Sequence, residues 1–261
     1  MYLRNHDNTY RQAGPVTNGN PIITNSSMNI GIIVAMDKEL QLLLPLLSDS
    51  RATVIDGVTF HLGDIAGNSI VVMKSGIGKV NAALSASEMI KQFAPDLVIT
   101  TGVAGGTGSD AKVLDVVVAD RIAYHDVWCG PGTEPGEAAR CPLFFTPPAE
   151  VLDNQVLAPS DRLRHGLIAS GDIFVSRPED IERIKKMYPD VKAVDMESAA
   201  IAHTCHLLGT PFIAIRVVSD TPGEHDDNAA QYDNFWEMAP RQTFDLLDDL
   251  LKSLGDNTPE A

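Results

Sequence analysis

Three carboxylates stand just beyond stretches that read as strands: Glu39 in Met36-Asp-Lys-Glu39, Glu197 in Asp195-Met-Glu197, and Asp220 in Ser219-Asp220. Carboxylates gathered around one substrate can share proton transfer and stabilise developing positive charge. Two glycine-rich turns accompany them, Ser75-Gly76-Ile77-Gly78 and Thr101-Gly102-Val103-Ala104-Gly105-Gly106. Such turns let a backbone approach a sugar or an anion closely, with the N–H groups of a helix start pointing at it. Each feature also has a plainer reading. Glu39 and Glu197 in first helical turns would complement a helix dipole. Asp220, followed by Thr221-Pro222-Gly223, would serve a turn.

The elements that must position these residues alternate between strand and helix. Asn29–Ala35 is a continuous apolar run, the mark of a strand buried on both faces. Asp37 is expected to cap the leucine-rich helix that follows. Residues 52–65 read as a hairpin turning at Asp56-Gly57. Strands are expected at 70–73, 96–101, 113–123, 165–169 and 211–218, with Gly102–Gly106 as a turn after the second of these. Helices are expected at 79–93, 178–187, 197–208 and 230–254. The pattern predicts an α/β fold, a single domain with a twisted mixed central sheet flanked by helices. Domain boundaries are expected at 28–254, between a polar extension over 1–27 and a polar tail over 255–261. The extension holds five Asn, two Gly and two Pro and lacks the apolar core of a secretory leader. Residues 124–160 carry Pro131, Pro135, Pro142, Pro147 and Pro148 and read as an irregular segment of the binding-loop or subunit-contact kind.

Composition removes several classes of function. The 261 residues carry 20 Lys and Arg against 35 Asp and Glu, a formal net charge of −15. Nucleic acid and anionic membrane, which require clustered cations, are therefore not expected as partners. No apolar stretch approaches a membrane span. Cys129, Cys141 and Cys205 show no C-x-x-C spacing and read as free thiols, which places the protein in the cytoplasm as an expectation. His203 and His206 have the spacing of a metal pair, but no third ligand is evident, so they read as buried or capping histidines and no metal or other cofactor is expected. Neither G-x-G-x-x-G nor a P-loop is present.

Taken in order, the motifs resemble the methylthioadenosine/S-adenosylhomocysteine nucleosidases of the nucleoside phosphorylase/hydrolase superfamily. They are Ile30–Glu39, Lys74–Val80, Thr101–Gly106, Gly171–Val175, Val194–Glu197 with Ala200-Ile-Ala-His203, and Arg216–Asp220. The resemblance implies a small-molecule purine nucleoside as substrate and assembly as a homodimer. It implies that Glu39 activates the hydrolytic water and Asp220 donates a proton to the purine N7, with Ser219 positioning it. It further implies that Glu197, with Met196, holds the ribose hydroxyls, that Phe174 stacks on the base, and that the backbone of Val175 reads its polar edge. Met36, Ile77, Ala104 and Gly105 fall in the motifs that line the substrate. Two departures stand out: Val103 occupies a place where the family often has Ser, and the segment 124–148 diverges beyond Tyr124-His-Asp126.

Breaking a ribose–purine bond requires a better leaving group and tolerance of positive charge on the sugar. An acid near N7 meets the first need and carboxylates around the ribose meet the second. A further carboxylate must take the proton of the attacking water, as in other glycosidic hydrolyses. Free Asp has a pKa of about 3.9, so Asp220 must be shielded or hydrogen-bonded to carry a proton near neutrality. Alternatives are a phosphate-dependent purine nucleoside phosphorylase, a futalosine-type nucleoside hydrolase and a non-catalytic nucleoside-binding module. Phosphorolysis calls for cations around the anion, and acidic Glu39 opposes it.

Overall fold

Branched apolar runs form the inner strands, and their alternating side chains feed two cores. In the first strand, β1 (Asn29–Val34), Ile30, Ile32 and Val34 join a cluster with Leu247, Leu250 and Leu251 of the C-terminal helix. Ile33 points the other way and joins Phe60, Met73 and Met89. Both faces of β1 are thus covered, as its unbroken hydrophobicity requires. The computed structural model describes residues 27–108, 111–222, 232, 235–236 and 242–255. Residues 1–26 and 256–261 lie outside the described residues, and with them nearly all of the expected extension and tail.

The remaining strands are β2 (Ser48–Ile55), β3 (Val58–Ile65), β4 (Asn68–Lys74), β5 (Leu97–Gly106), β6 (Val116–Tyr124), β7 (Leu163–Ser170), β8 (Val191–Asp195) and β9 (Phe212–Asp220). The helices are α1 (Asp37–Leu43), α2 (Lys79–Phe93), α3 (Ala149–Leu152), α4 (Pro178–Met187), α5 (Ser198–Leu208) and α6 (Gln242–Gly255). All nine strands belong to one mixed sheet, in the order β2-β3-β4-β1-β5-β8-β7-β6-β9, and β9 also pairs back onto β5. Strands β5, β8, β7, β6 and β9 therefore close into a ring, while β2, β3, β4 and β1 extend from it as an open sheet. Parallel pairs join β1 to β4 and β5, β5 to β9, and β7 to β6 and β8. Among the described residues, no helix is long and apolar enough to cross a membrane.

The expected α/β class, hairpin and α2 and α4 boundaries agree with these elements. Four expectations need correction. Gly102–Gly106 is not a turn: it continues β5, whose register shifts between Ala104 and Gly105 before the strand meets β8 at Gly105 and Gly106. Strand β8, which leads into Asp195-Met-Glu197, is given no bounds by the sequence pattern, because Lys192 interrupts its short apolar run. The strand expected from 113 begins at Val116, since Leu114 adopts a positive φ of 76°. The N-cap of α1 is Met36 rather than Asp37. Of the helix expected over 230–254, α6 and the helical residues Tyr232, Phe235 and Trp236 are described; most of the rest lies outside the described residues.

Candidate active site

The C-terminal ends of β1, β5, β8 and β9 face one cavity. From the open sheet and its junction come Met36, Glu39, Ile77, Ala104 and Gly105. From the ring come Phe174, Val175, Met196, Glu197, Ser219 and Asp220. The eleven residues that the resemblance assigns to the site thus all line this one cavity.

Glu39 is the third residue of α1, and its carboxylate turns back onto its own helix start. One oxygen, Oε2, accepts the N–H groups of Ala35 at 2.9 Å and Met36 at 3.0 Å. The other, Oε1, accepts the N–H of Val103 at 3.1 Å. Gly102 makes this approach possible: its φ is +151°, and a Cβ there would lie 2.2 Å from Oε1. Burial pushes the Glu39 pKa above the ordinary carboxylate value, while the Arg216 charge and the three amides oppose the rise. A fixed carboxylate with a raised pKa is suited to accept a proton near neutrality. Val103 contributes its backbone N–H, and its apolar side chain lines the cavity.

Glu197 forms the N-cap position of α5, and its Oε1 accepts the N–H of Gly78 at 2.9 Å. Burial, and then the neighbouring Asp195 carboxylate, raise its pKa to about 7. Asp195 is held in turn by the hydroxyls of Ser170 and Ser198 and by Arg216 Nε at 2.8 Å. Arg216 Nη2 donates to Thr100 Oγ1 at 2.9 Å. Arg216 as a whole is 2% exposed, and its charge also favours the ionised forms of Glu39 and Glu197. Arg216 falls within the Arg216–Asp220 motif, but the sequence alone assigns it no role. Its signal was a lone cation inside the apolar run Phe212–Val218, where a buried charge demands a partner.

Asp220 ends β9 and is buried. The hydroxyl of Ser219 lies 2.5 Å from Asp220 Oδ1 and 3.2 Å from the Ala104 carbonyl oxygen, so this side chain ties Asp220 to β5. At the mouth, Phe174 is half exposed and meets Tyr232 edge-on, with ring centroids 6.0 Å apart. The Tyr232 hydroxyl contacts Met36 Sδ at 3.2 Å. Tyr232 and Ile173 also line the cavity and were not foreseen; an aromatic in a helix far along the chain carries no local mark of a ligand.

The two histidines of α5 lie outside this lining. His203 is half-buried, with Nδ1 3.1 Å from the Tyr124 hydroxyl and Nε2 3.0 Å from Cys141 Sγ. His206 is exposed in the last turn of α5, so of the two expectations for it, burial or a capping place at the helix end, only the second agrees with its position.

A family model described as Phosphorylase superfamily matches residues 29–252. A 5′-methylthioadenosine/S-adenosylhomocysteine nucleosidase of Listeria monocytogenes serotype 4b (strain F2365) is 38% identical over 235 residues, covering 87% of this chain and all of the relative. Among solved structures, the nucleosidase of S. pneumoniae with the transition-state inhibitor MT-ImmA superposes with a TM-score of 0.83 at 38% identity, covering 87% of this chain and all of that one. The nucleosidase of Colwellia psychrerythraea 34H in complex with adenine gives a TM-score of 0.82 at 36% identity, covering 89% and 98%.

Proposed function

The chain belongs to the phosphorylase superfamily and, within it, to the 5′-methylthioadenosine/S-adenosylhomocysteine nucleosidases, and from this membership and its site we propose the reaction it performs. It hydrolyses the N-glycosidic bond of 5′-methylthioadenosine, S-adenosylhomocysteine or both, releasing adenine and the thioribose product. The observation that carries this reading is the convergence of Glu39, Glu197 and Asp220 on one cavity, each fixed by a different partner.

In this reading Phe174 stacks on the purine and the Val175 backbone meets its polar edge. Asp220, steadied by Ser219, gives a proton to N7 as the base departs. Electron density lost from the ribose is compensated by the carboxylates around it. Glu197 accepts from the ribose hydroxyls, with Met196 beside it, and Met36, Ile77, Ala104 and Gly105 form the remaining walls. Glu39 takes the proton of the attacking water, because its two oxygens are already aimed by three amides and need no reorganisation. Water, not phosphate, is the nucleophile. A phosphate would meet acidic Glu39, and the buried guanidinium of Arg216 is committed to Asp195 and Thr100.

A homodimer is part of the same reading. Ile77, Val80 and Leu84 leave an exposed apolar strip at the start of α2, which a second copy of the chain would cover. A cytoplasmic setting accords with the three free cysteines.

The test is to incubate the protein with methylthioadenosine, with and without inorganic phosphate, and to identify the sugar product. Adenine and a free thioribose, formed at the same rate in both samples, are expected. A phosphorylated sugar whose formation requires phosphate would assign the chain to phosphorolysis. An intact nucleoside would remove the enzymatic reading.

A further inference from the structure

Three loops meet beside the cavity at a cluster that the reaction does not use. Lys79 opens α2, Asp126 follows β6, and Asp172 follows β7. The Lys79 ammonium donates to Asp126 Oδ2 at 2.8 Å and lies 3.8 Å from Asp172 Oδ2. The same Asp126 Oδ2 accepts the backbone N–H of Asp172 at 2.8 Å. Asp172 Oδ1 accepts the backbone N–H of Lys79 at 2.7 Å. The side chains of Lys79 and Asp126 are 22% and 16% exposed, so this is not an ion pair free in solvent.

What the cluster joins is more telling than its charge. Gly78, directly before Lys79, donates its N–H to Glu197, and Ile77 lines the cavity. Ile173, Phe174 and Val175, directly after Asp172, line the opposite part. The loops approach so closely that side chains are excluded at their crossing. A Cβ on Gly171 would lie 2.3 Å from His125 Cε1 and 2.8 Å from Asp126 Cγ, and one on Gly78 3.1 Å from Asp172 Oδ1. Lys79 also passes over the Tyr124 ring, 5.5 Å from its centroid. Charge-assisted bonds from carboxylates to backbone N–H groups fix backbone as well as side chains, and so fix distance between loops.

We propose that Lys79, Asp126 and Asp172 form a positioning clamp that sets the purine-stacking loop at a defined distance from Glu197. The inference rests on the nucleosidase reading above, because that reading assigns the base to Phe174 and the ribose to Glu197. None of the three touches substrate; they act through the backbone of Gly78 and of residues 173–175. A ligand that spans both loops depends on their spacing, whereas a ligand that engages the base loop alone does not.

The experiment compares wild type, Asp126→Ala, Asp126→Asn and Lys79→Met. It measures steady-state hydrolysis of methylthioadenosine, equilibrium binding of methylthioadenosine and of free adenine, and the melting temperature of each. Asp126→Ala is expected to weaken methylthioadenosine about tenfold in KM, with kcat within about threefold, because it removes two charge-assisted bonds at one oxygen. Adenine affinity should stay within about twofold. Asp126→Asn keeps an acceptor at that place and should restore the KM. Lys79→Met keeps the aliphatic stem and loses the charge, and should reproduce the split seen with Asp126→Ala; it carries the test if Asp126→Ala does not fold. Equal losses for adenine and methylthioadenosine, or an unchanged KM in both Asp126→Ala and Lys79→Met, would overturn the clamp. Wild-type protein that binds both ligands but cleaves nothing would overturn the nucleosidase reading, and the binding comparison would still decide the clamp.

Discussion

The two walls of the cavity hold their carboxylates by different means. On the open-sheet side, Glu39 is held by backbone: two amides from its own helix start and one from Val103 at the β5 junction. On the ring side, Glu197 receives one amide, and its surroundings are side chains. Asp195, Ser170, Ser198, Arg216 and Thr100 form a hydrogen-bonded set drawn from β5, β7, β8, α5 and β9. Backbone donors are part of the fold and do not reorient, so they suit a group that must face a water in one direction. A side-chain network instead lets one buried cation, Arg216, balance several acids at once. The contrast teaches that two acids of one cavity, both raised in pKa chiefly by burial, can be fixed by quite different partners.

The largest expected effects separate the acid of one wall from the base of the other. Glu39→Gln should lower kcat about 10²–10⁴-fold, and by the same factor for methylthioadenosine and for a nitrophenyl riboside, since both need the same water. Asp220→Asn should cost about as much with methylthioadenosine but far less with the nitrophenyl compound, whose leaving group departs without a proton. Steady-state rates for the two variants on the two substrates check this. If Asp220→Asn slowed both substrates alike, the assignment of the proton donor to the ring wall would be lost.

Gly102→Ala probes the open-sheet wall without touching a carboxylate. Its Cβ would fall 2.2 Å from Glu39 Oε1, and a φ of +151° is strained for alanine. The carboxylate must shift, and a misplacement of about 1 Å at a reacting group costs roughly 100-fold in rate. The expected result is a loss of about 10- to 100-fold in kcat with the raised pKa of Glu39 moved, visible as a displaced acidic limb of the pH–rate profile. A reduced kcat with an unmoved limb would show that the three amides do not set this group.

The same contrast explains what could be read from the chain. The open-sheet wall was largely legible, because Glu39 and its amide donors at Ala35 and Met36 lie within four residues of one another. So were strand ends, since apolar runs give way to polar residues at Ser75, just after β4, and at Ser170 and Asp220, which end β7 and β9. The ring wall was less legible. Its closure rests on β9 pairing with β5 and β6, a long-range fact with no local period. Strand β8 is five residues long and interrupted by Lys192, and the glycines that looked like a turn after β5 carry that strand on to meet it. Arg216 and Tyr232 were unassigned for the same reason: what each touches is far away in sequence, Thr100 in one case and Met36 in the other.

The smallest expected effect tests the electrostatic cost of the ring wall. Burial and the nearby Asp195 raise the Glu197 pKa to about 7 in the folded protein, against about 4.3 in an unfolded chain. A carboxyl whose folded pKa is raised binds its proton more tightly when folded. Its contribution to stability is therefore complete below the unfolded value and is lost as pH rises through about 7. Glu197→Gln removes that titration while keeping the side chain's size and an acceptor for the Gly78 N–H. Without ligand, the variant should gain stability relative to wild type on going from pH 5 to pH 8, by on the order of 1–3 kcal/mol, even though it binds ribonucleosides less well. Denaturant unfolding of both proteins at the two pH values measures the difference. A gap that stayed constant between pH 5 and pH 8 would mean that Asp195 and burial do not strain Glu197, and that Arg216 already neutralises the ring wall in full.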